Sequence, residues 1–307
     1  GYMLGYNDLR DQSVSGFFRF LARVGDGMMK MQIVKIKFGN RESEFICGGN
    51  MVKVVFFDVD GTLISHSQNA VPESTRTALN QLSEKGIQRV IATGRHMLEL
   101  SLLPVSNIHF DAYITLNGQL CLDAQGNTLF GNPITGKSKE YIIRMFHEKT
   151  VPIMIVEKEN MYINFVNQNV QVAQDAISTP VPNVGEYTGN KIFQAIAYLE
   201  KGREETIAGQ MPGCKVTRWN DFAVDIIAAS GGKRVGIIEY LRKNNIRKEE
   251  TMAFGDGEND IEMLRFVQIG VAMGNADDNI KGNSDYVTSS VDNNGIKEAL
   301  VALKIIA

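Results

Sequence analysis

Two carboxylates, Asp58 and Asp60, stand two residues apart, directly after an apolar run at residues 52–57. Side by side they repel unless a cation neutralises them or one keeps its proton. The pair therefore points to a hard, oxygen-seeking metal such as Mg²⁺. It also points to a division of labour, one acid as nucleophile and the other as acid/base. Gly61 permits the sharp turn that would bring both to one place. An EF-hand calcium loop is excluded by spacing, because it needs Gly at position six and Glu at twelve. Here Gly61 is fourth and Asn69 twelfth.

Three further signals share this placement. Asp256 and Asp260 lie four apart in Phe254-Gly255-Asp256-Gly257-Glu258-Asn259-Asp260, after a short apolar run at 251–254. Asp260 also suits a helix start, whereas Asp256 has no such structural duty and is a candidate metal ligand. Thr93 and Gly94 follow the apolar run 87–92, and their hydroxyl and amide can donate to phosphate oxygens. Taken alone, a Thr-Gly there is more often a plain turn. Lys233 follows Ser230-Gly231-Gly232 at the start of a helical pattern, where an ammonium and unpaired N–H groups suit an anion. A lone Lys in that position is more often solvated, and the spacing is not that of a Walker A loop.

These residues need a scaffold that gathers strand ends along one edge, which open α/β sheets provide. Apolar runs at 52–57, 87–92, 112–116, 251–254 and 269–273 predict buried strands. Helical patterns at 72–85, 233–243, 260–266 and 296–303 separate them, which predicts βαβ units and a parallel sheet. Between 119 and 220 the texture changes. Residues 119–123 and 127–130 flank Ala124-Gln125-Gly126 as a hairpin would, and 153–156 and 162–166 repeat the pattern around Lys158-Glu159-Asn160. Alternation at 191–199 and 214–219, with helices at 140–149 and 170–177, completes an α+β module. The expected organisation is a Rossmann-like α/β core at 51–118 and 221–307 enclosing an α+β insertion at 119–220.

Residues 1–50 read as an N-terminal extension with a short strand at 30–38, Met51 being the natural start; a genuine small N-terminal element is the rival reading. The run Phe17 to Val24 is too short and too charged for a secretory segment.

Composition narrows the function classes. A chain of 307 residues suggests about two domains. With 44% apolar and 22% charged residues, disorder, collagen and coiled coil are poor descriptions. A net charge of −3 gives no basic footprint for nucleic acid. Cys47, Cys121 and Cys214 are too scattered for a Cys-paired zinc site or a disulfide framework, so a reducing cytoplasm fits best. No apolar run approaches the ~18 residues of a membrane span. His66, His96, His109 and His147 show no metal spacing and are expected in loops or at the surface.

The order Asp-x-Asp, Thr, Lys, Gly-Asp-x-x-x-Asp resembles the haloacid dehalogenase-like superfamily of phosphohydrolases. The forms Asp58-Val59-Asp60-Gly61-Thr62-Leu63 and Gly255-Asp256-Gly257-Glu258-Asn259-Asp260 carry the likeness. The large insertion resembles the cap of the Cof-type branch, subfamily IIB. Leu116-Asn117-Gly118, Gly270 to Ala276, Ser284 to Thr288 and Asn294-Gly295-Ile296 are similar to that branch too. The resemblance runs from Met51 to the C-terminus.

The resemblance implies that Asp58 attacks phosphorus and that Asp60 protonates the leaving oxygen and then activates water. It implies Mg²⁺ held by Asp58, the Asp60 carbonyl and Asp256, with Asp260 in support. Thr93, Gly94 and Lys233 would bind the phosphoryl oxygens. Arg95, Asn117 and Asn259 are candidates for touching the substrate, and the Trp219-Asn220-Asp221 loop could also reach it. A surface salt bridge for Arg95 and a packed cap position for Trp219 are the plainer readings. The implied activity is a Mg²⁺-dependent phosphatase of a small phosphorylated metabolite, such as a sugar phosphate. A phosphotransferase or mutase shares every motif. A non-catalytic metabolite-binding regulator predicts erosion of a key side chain, and none is eroded.

Overall fold

The computed structural model describes residues 14–24, 27–38, 41–47, 52–65, 67–177 and 179–307; Met51 and His66 lie outside the described residues. The chain divides into two compact units, Gly1–Val52 and Lys53–Ala307. In the first, β1 (Val14–Val24), β2 (Gly27–Phe38) and β3 (Arg41–Cys47) form an antiparallel sheet in that order. The strand expected at 30–38 lies within β2, and the run 17–24 is itself part of β1.

In the second unit the strands are β4 (Val54–Phe57), β5 (Gln88–Ala92), β6 (Ala112–Thr115), β7 (Leu120–Asp123) and β8 (Thr128–Gly131). There follow β9 (Ile153–Val156), β10 (Met161–Ile163), β11 (Gln194–Tyr198), β12 (Cys214–Asn220) and β13 (Ala223–Ala228). The last three are β14 (Thr251–Gly255), β15 (Ile269–Ala272) and β16 (Tyr286–Val287).

The core sheet has the order β16-β15-β14-β4-β5-β6-β7-β8. It is parallel from β16 to β6, and β7 and β8 add antiparallel. Val54 to Phe57 are fully buried, as an apolar run between two helical layers must be. Phe56 meets Tyr240 edge-on at 6.0 Å, while Phe57 stacks on Phe254 of the neighbouring strand at 5.4 Å. Helices Lys233–Asn244 and Ile261–Phe266 cover one face through Ile237, Leu241, Met263 and Leu264.

The insertion is an antiparallel sheet in the order β10-β9-β11-β13-β12. Helices Gly136–Glu148 and Glu204–Gln210 pack on one face, against Ile155, Ala195, Ala197 and Ile226. The opposite face carries Met154, Tyr198 and Ala223 and rests on Leu116, Leu120 and Leu122 of the core.

The boundaries expected at 119 and 220 are therefore corrected. The hairpin at 119–130 belongs to the core sheet, because the tight turn Leu116–Gly118 folds β7 straight back on β6, pairing Thr115 with Leu120. Residues 223–228 belong to the inserted sheet, pairing with β11 and β12. Alternation and turn chemistry announce a hairpin but do not say which sheet edge it joins.

The insertion leaves and re-enters at one neck. The Asn132 amide donates to Gln119 Oε1 and to Ser230 Oγ, both at 3.1 Å. Gly118, at φ +82°, lets the chain pass so close that a Cβ there would sit 2.1 Å from the Gly232 carbonyl. Among the described residues no helix is long and apolar enough to cross a membrane.

Candidate active site

Because β4, β5 and β14 are parallel neighbours in register, the residues just past their C-terminal ends converge. Asp58 and Asp60 follow β4, Thr93 and Gly94 follow β5, and Asp256 follows β14. Lys233 opens its helix and reaches in from the side. Its fully buried ammonium donates to Asp58 Oδ1 and to Asp260 Oδ1, each at 2.6 Å. Burial opposes the charge on Lys233, but Asp260 and Asp58 outweigh it and hold the pKa above the ordinary lysine value. Burial pushes Asp58 well above the usual carboxylate range; Lys233 works against that shift, and Asp260, Asp256 and Asp60 add to it.

Asp58, Asp256 and Asp260 each offer an oxygen within 4.8 Å of the others. The other Asp260 oxygen accepts from the backbone N–H groups of Asp256 and Gly257, at 3.0 and 2.9 Å. Thr62 Oγ1 donates to Asp256 at 2.9 Å, and Asn275 donates to Asp256 at 3.0 Å and to the Gly61 carbonyl at 2.9 Å. Gly61 has φ +75°, and a Cβ there would lie 2.1 Å from Asp256 Oδ2. The turn after β4 thus needs glycine twice, for its dihedral and for the approach of Asp256.

The candidate phosphate groups lie beside these acids. Thr93 is buried, its Oγ1 accepts from the Arg95 N–H at 3.2 Å, and its carbonyl accepts from the Asn117 N–H at 2.9 Å. The Gly94 Cα faces the Asn117 amide closely enough that a Cβ would come within 3.1 Å of it. Arg95 makes no exposed surface pair. Its guanidinium grips both oxygens of Asp60 at 2.7 and 2.8 Å and donates to Thr179 of the insertion at 3.2 Å. Asn117 takes the left-handed φ of +53°; it donates to Asp225 and accepts from Asn259, both at 3.0 Å.

His96 lies in a loop, as expected of the histidines, but not at the surface. It is buried, its Nδ1 accepts from the Leu98 N–H at 3.0 Å, and its Nε2 therefore carries the proton towards the Glu157 and Lys158 carbonyls, each at 3.0 Å. It ties the core to the insertion and has no part in a metal cluster.

A cavity of about 540 Å³ opens between core and insertion, reaching Lys233, Asn117 and Asn259 on one side and Lys215, Trp219 and Asp225 on the other. Trp219 lies on β12, where it packs half-buried against the cluster of Met154, Tyr198 and Ala223, as the plainer reading has it, and also borders this space. Asp225, Thr62 and Asn275 were not singled out from the sequence. Asp225 had a visible signal, a lone acid inside the apolar run 223–228. Thr62 and Asn275 sit in segments whose spacing was noted, but nothing marks their side chains as partners of Asp256.

Comparison with known proteins agrees with this geometry. The profile of the haloacid dehalogenase-like hydrolases matches residues 55–300. "Putative phosphatase YkrA" of Bacillus subtilis is 30% identical over 258 residues, spanning 83% of this chain and 98% of that protein. The HMP-PP phosphatase of Yersinia pseudotuberculosis is 27% identical, spanning 74% of this chain and 85% of its own. Among solved structures, the HAD subclass IIB sugar phosphatase BT4131 is 33% identical with a TM-score of 0.73, spanning 83% of this chain and all of that one. BT1666 of Bacteroides thetaiotaomicron, a phosphatase of the same superfamily, is 30% identical with a TM-score of 0.74, spanning 83% and 96%. A parallel-sheet core with an inserted cap, the matched profile and these relatives converge: the chain belongs to the haloacid dehalogenase-like hydrolases, in their Cof-type branch, and is a phosphatase.

Proposed function

We propose that the protein is a Mg²⁺-dependent phosphatase that hydrolyses a small phosphorylated metabolite, a sugar phosphate, through an aspartyl-phosphate on Asp58. The observation that carries this reading is the cluster of three carboxylates, Asp58, Asp256 and Asp260, two of which meet the buried Lys233 ammonium. Arg95 balances Asp60, but a single Lys does not balance Asp58, Asp256 and Asp260, and the burial of Asp58 makes the surplus costly. The donor set is all oxygen, which fits a hard divalent cation. Asp58, Asp256 and the Asp60 carbonyl would hold it. Asp260 supports the site by fixing Lys233 through one oxygen and the turn at 256–257 through the other. When bound, Mg²⁺ supplies positive charge to the phosphoryl oxygens and keeps Asp58 ionised as a nucleophile.

The chain's own groups do the rest. Asp58 attacks phosphorus in line with the leaving oxygen. Thr93, the Gly94 amide and Lys233 hold the phosphoryl oxygens, where charge is concentrated through the transfer. Asp60 delivers a proton to the leaving oxygen and then accepts one from the water that hydrolyses the intermediate. Both Asp60 oxygens accept from Arg95, so each proton transfer turns one oxygen away from the guanidinium. The leaving group occupies the cavity under the cap. Asn117, Asn259, Thr217 and Asp225 there are groups that pair with hydroxyls, and Trp219 offers a flat apolar face. The likeness to the sugar phosphatase BT4131 supports the same substrate class. Cys121 and Cys214 are unpaired thiols, which suits a reducing cytoplasm.

The test is phosphate release from a panel of sugar phosphates and nucleotides, with and without Mg²⁺. Metal-dependent release is expected, with loss by roughly 10³-fold or more in Asp58→Asn. An Asp58→Asn protein at full activity would overturn the mechanism.

A further inference from the structure

Asp225 is an acid in the wrong surroundings for a structural residue. It sits on β13, opposite Ile196 of β11 and Thr217 of β12. Strand alternation therefore turns Gln194, Tyr198, Thr217 and Asp225 to one face of the cap sheet, the face that looks onto the core. Its donors are the amides of Asn117 and Gln194 and the Trp219 indole, all of them neutral. Beside it, Gln194 Oε1 and the Tyr198 hydroxyl are buried without a hydrogen-bond partner. The fold thus gathers more polar groups behind Asp225 than it satisfies, and of these Asp225 itself lines the cavity.

The placement relative to the chemistry is specific. Asn117 donates to Asp225 and accepts from Asn259, which lies next to Asp260 in the turn after β14. A hydroxyl held at Asp225 is therefore in register, through two amides, with the acids that would handle the phosphoryl group. The other charges lining the cavity complete the pattern. Lys215 is engaged by the Gly231 carbonyl at 3.1 Å and by Glu262 at 3.6 Å, and Arg218 is held by Glu204 at 2.7 Å. Apart from Lys233, the cations among the described lining residues are thus committed. Asp225, Glu258 and Glu262 add three acidic groups to the lining of the cavity.

We propose that Asp225 is a specificity-determining residue of the cap: it accepts a hydrogen bond from a hydroxyl of the leaving group and selects polyol monophosphates over substrates with a second anionic group. This inference rests on the phosphatase reading above. A carboxylate that meets only neutral donors keeps acceptor capacity for a ligand hydroxyl, and a leaving group without one leaves that capacity unused. A second phosphate or carboxylate would meet like charge with no free cation to hold it.

The test compares the Mg²⁺-loaded parent with Asp225→Ala and Asp225→Asn on three substrates: a hexose 6-phosphate, a hexose bisphosphate, and acetyl phosphate, which carries no hydroxyl. In the parent, kcat/KM should favour the hexose monophosphate over the bisphosphate. In Asp225→Ala, the ratio of hexose-phosphate to acetyl-phosphate kcat/KM should fall by roughly 10- to 100-fold, chiefly through KM. Asp225→Asn, which keeps the shape and an acceptor oxygen, should fall between. The preference over the bisphosphate should narrow in both. A ratio within twofold of the parent in both variants, with their melting curves cooperative, overturns the inference and leaves the phosphatase reading intact. A parent that hydrolyses acetyl phosphate and no polyol phosphate does the same. A parent that releases phosphate from nothing in the panel overturns both.

Discussion

Replacing Asp225 by Asn should stabilise the fold more in alkaline than in acidic solution. Burial raises this carboxyl from 3.8 to about 7, against the hydrogen bonds of Asn117, Trp219 and Gln194 and with the charge of Glu99 adding to the rise. Between those two values the unfolded chain gives up its proton while the folded one keeps it. The folded state then binds more protons, so stability falls as pH rises through this window and levels off above it. Asparagine has no proton to lose. The advantage of Asp225→Asn over the parent should therefore grow between pH 5 and pH 8. The part of that window above pH 5 spans about two units at about 1.4 kcal/mol each, so the growth is roughly 2–3 kcal/mol at most. In a chain of this size that is a widening of roughly 5–10 °C in melting temperature. Thermal or urea melts of both proteins at the two pH values measure it, and the difference between them cancels every other titrating group. A gap of the same size at pH 5 and pH 8 would refute the assignment of the buried charge to Asp225.

Lys233→Met should cost about 3–5 kcal/mol in metal-free protein, because it leaves two buried carboxylates facing each other without their cation. Mg²⁺ should then raise the melting temperature more in the variant than in the parent; an equal rise would show that the metal does not relieve the same charge. Gly61→Ala should weaken Mg²⁺ activation by at least about tenfold, since the new methyl displaces the Asp256 carboxylate and the left-handed turn resists it. Titrating activity against Mg²⁺ checks this, and an unchanged midpoint contradicts it.

The acids and the Thr-Gly pair were legible because each follows a strand-like segment read as buried, and Lys233 because it opens a helical pattern after two glycines. Strand ends in a parallel sheet lie on one edge, so six positions distant in sequence could be placed together without knowing a single contact. The cap was less legible. The hairpin at 119–130 is plain in its turn chemistry, but its membership in the core sheet depends on pairing with β6, which is a tertiary fact. The run 223–228 is apolar on both sides of Asp225, so alternation gives no hint that one face meets a cavity. Arg95 looked like a surface charge because nothing in Thr-Gly-Arg tells that Asp60, on the neighbouring strand, stands within its reach. His96 likewise caps a helix only four residues long, Met97–Leu100, and its second partners come from the far side of the insertion.

The neck formed by Gln119, Asn132 and Ser230 has a consequence for how such a protein can change. The insertion departs and returns at points joined through one asparagine side chain, and the entropy of closing a loop grows only slowly with its length. The chain entropy of the neck therefore sets little limit on the size of the module between those points, while the contacts of Arg95, His96 and Asn117 with the insertion set what its face must offer. Asp58, Asp60, Thr93, Lys233, Asp256 and Asp260 all lie outside the splice, while Lys215, Trp219 and Asp225 lie within it. On the proposed roles, the reacting groups and most of the cap wall of the cavity are thus encoded in separate stretches of the chain, so an exchange at the neck would replace the cap wall and keep the acids.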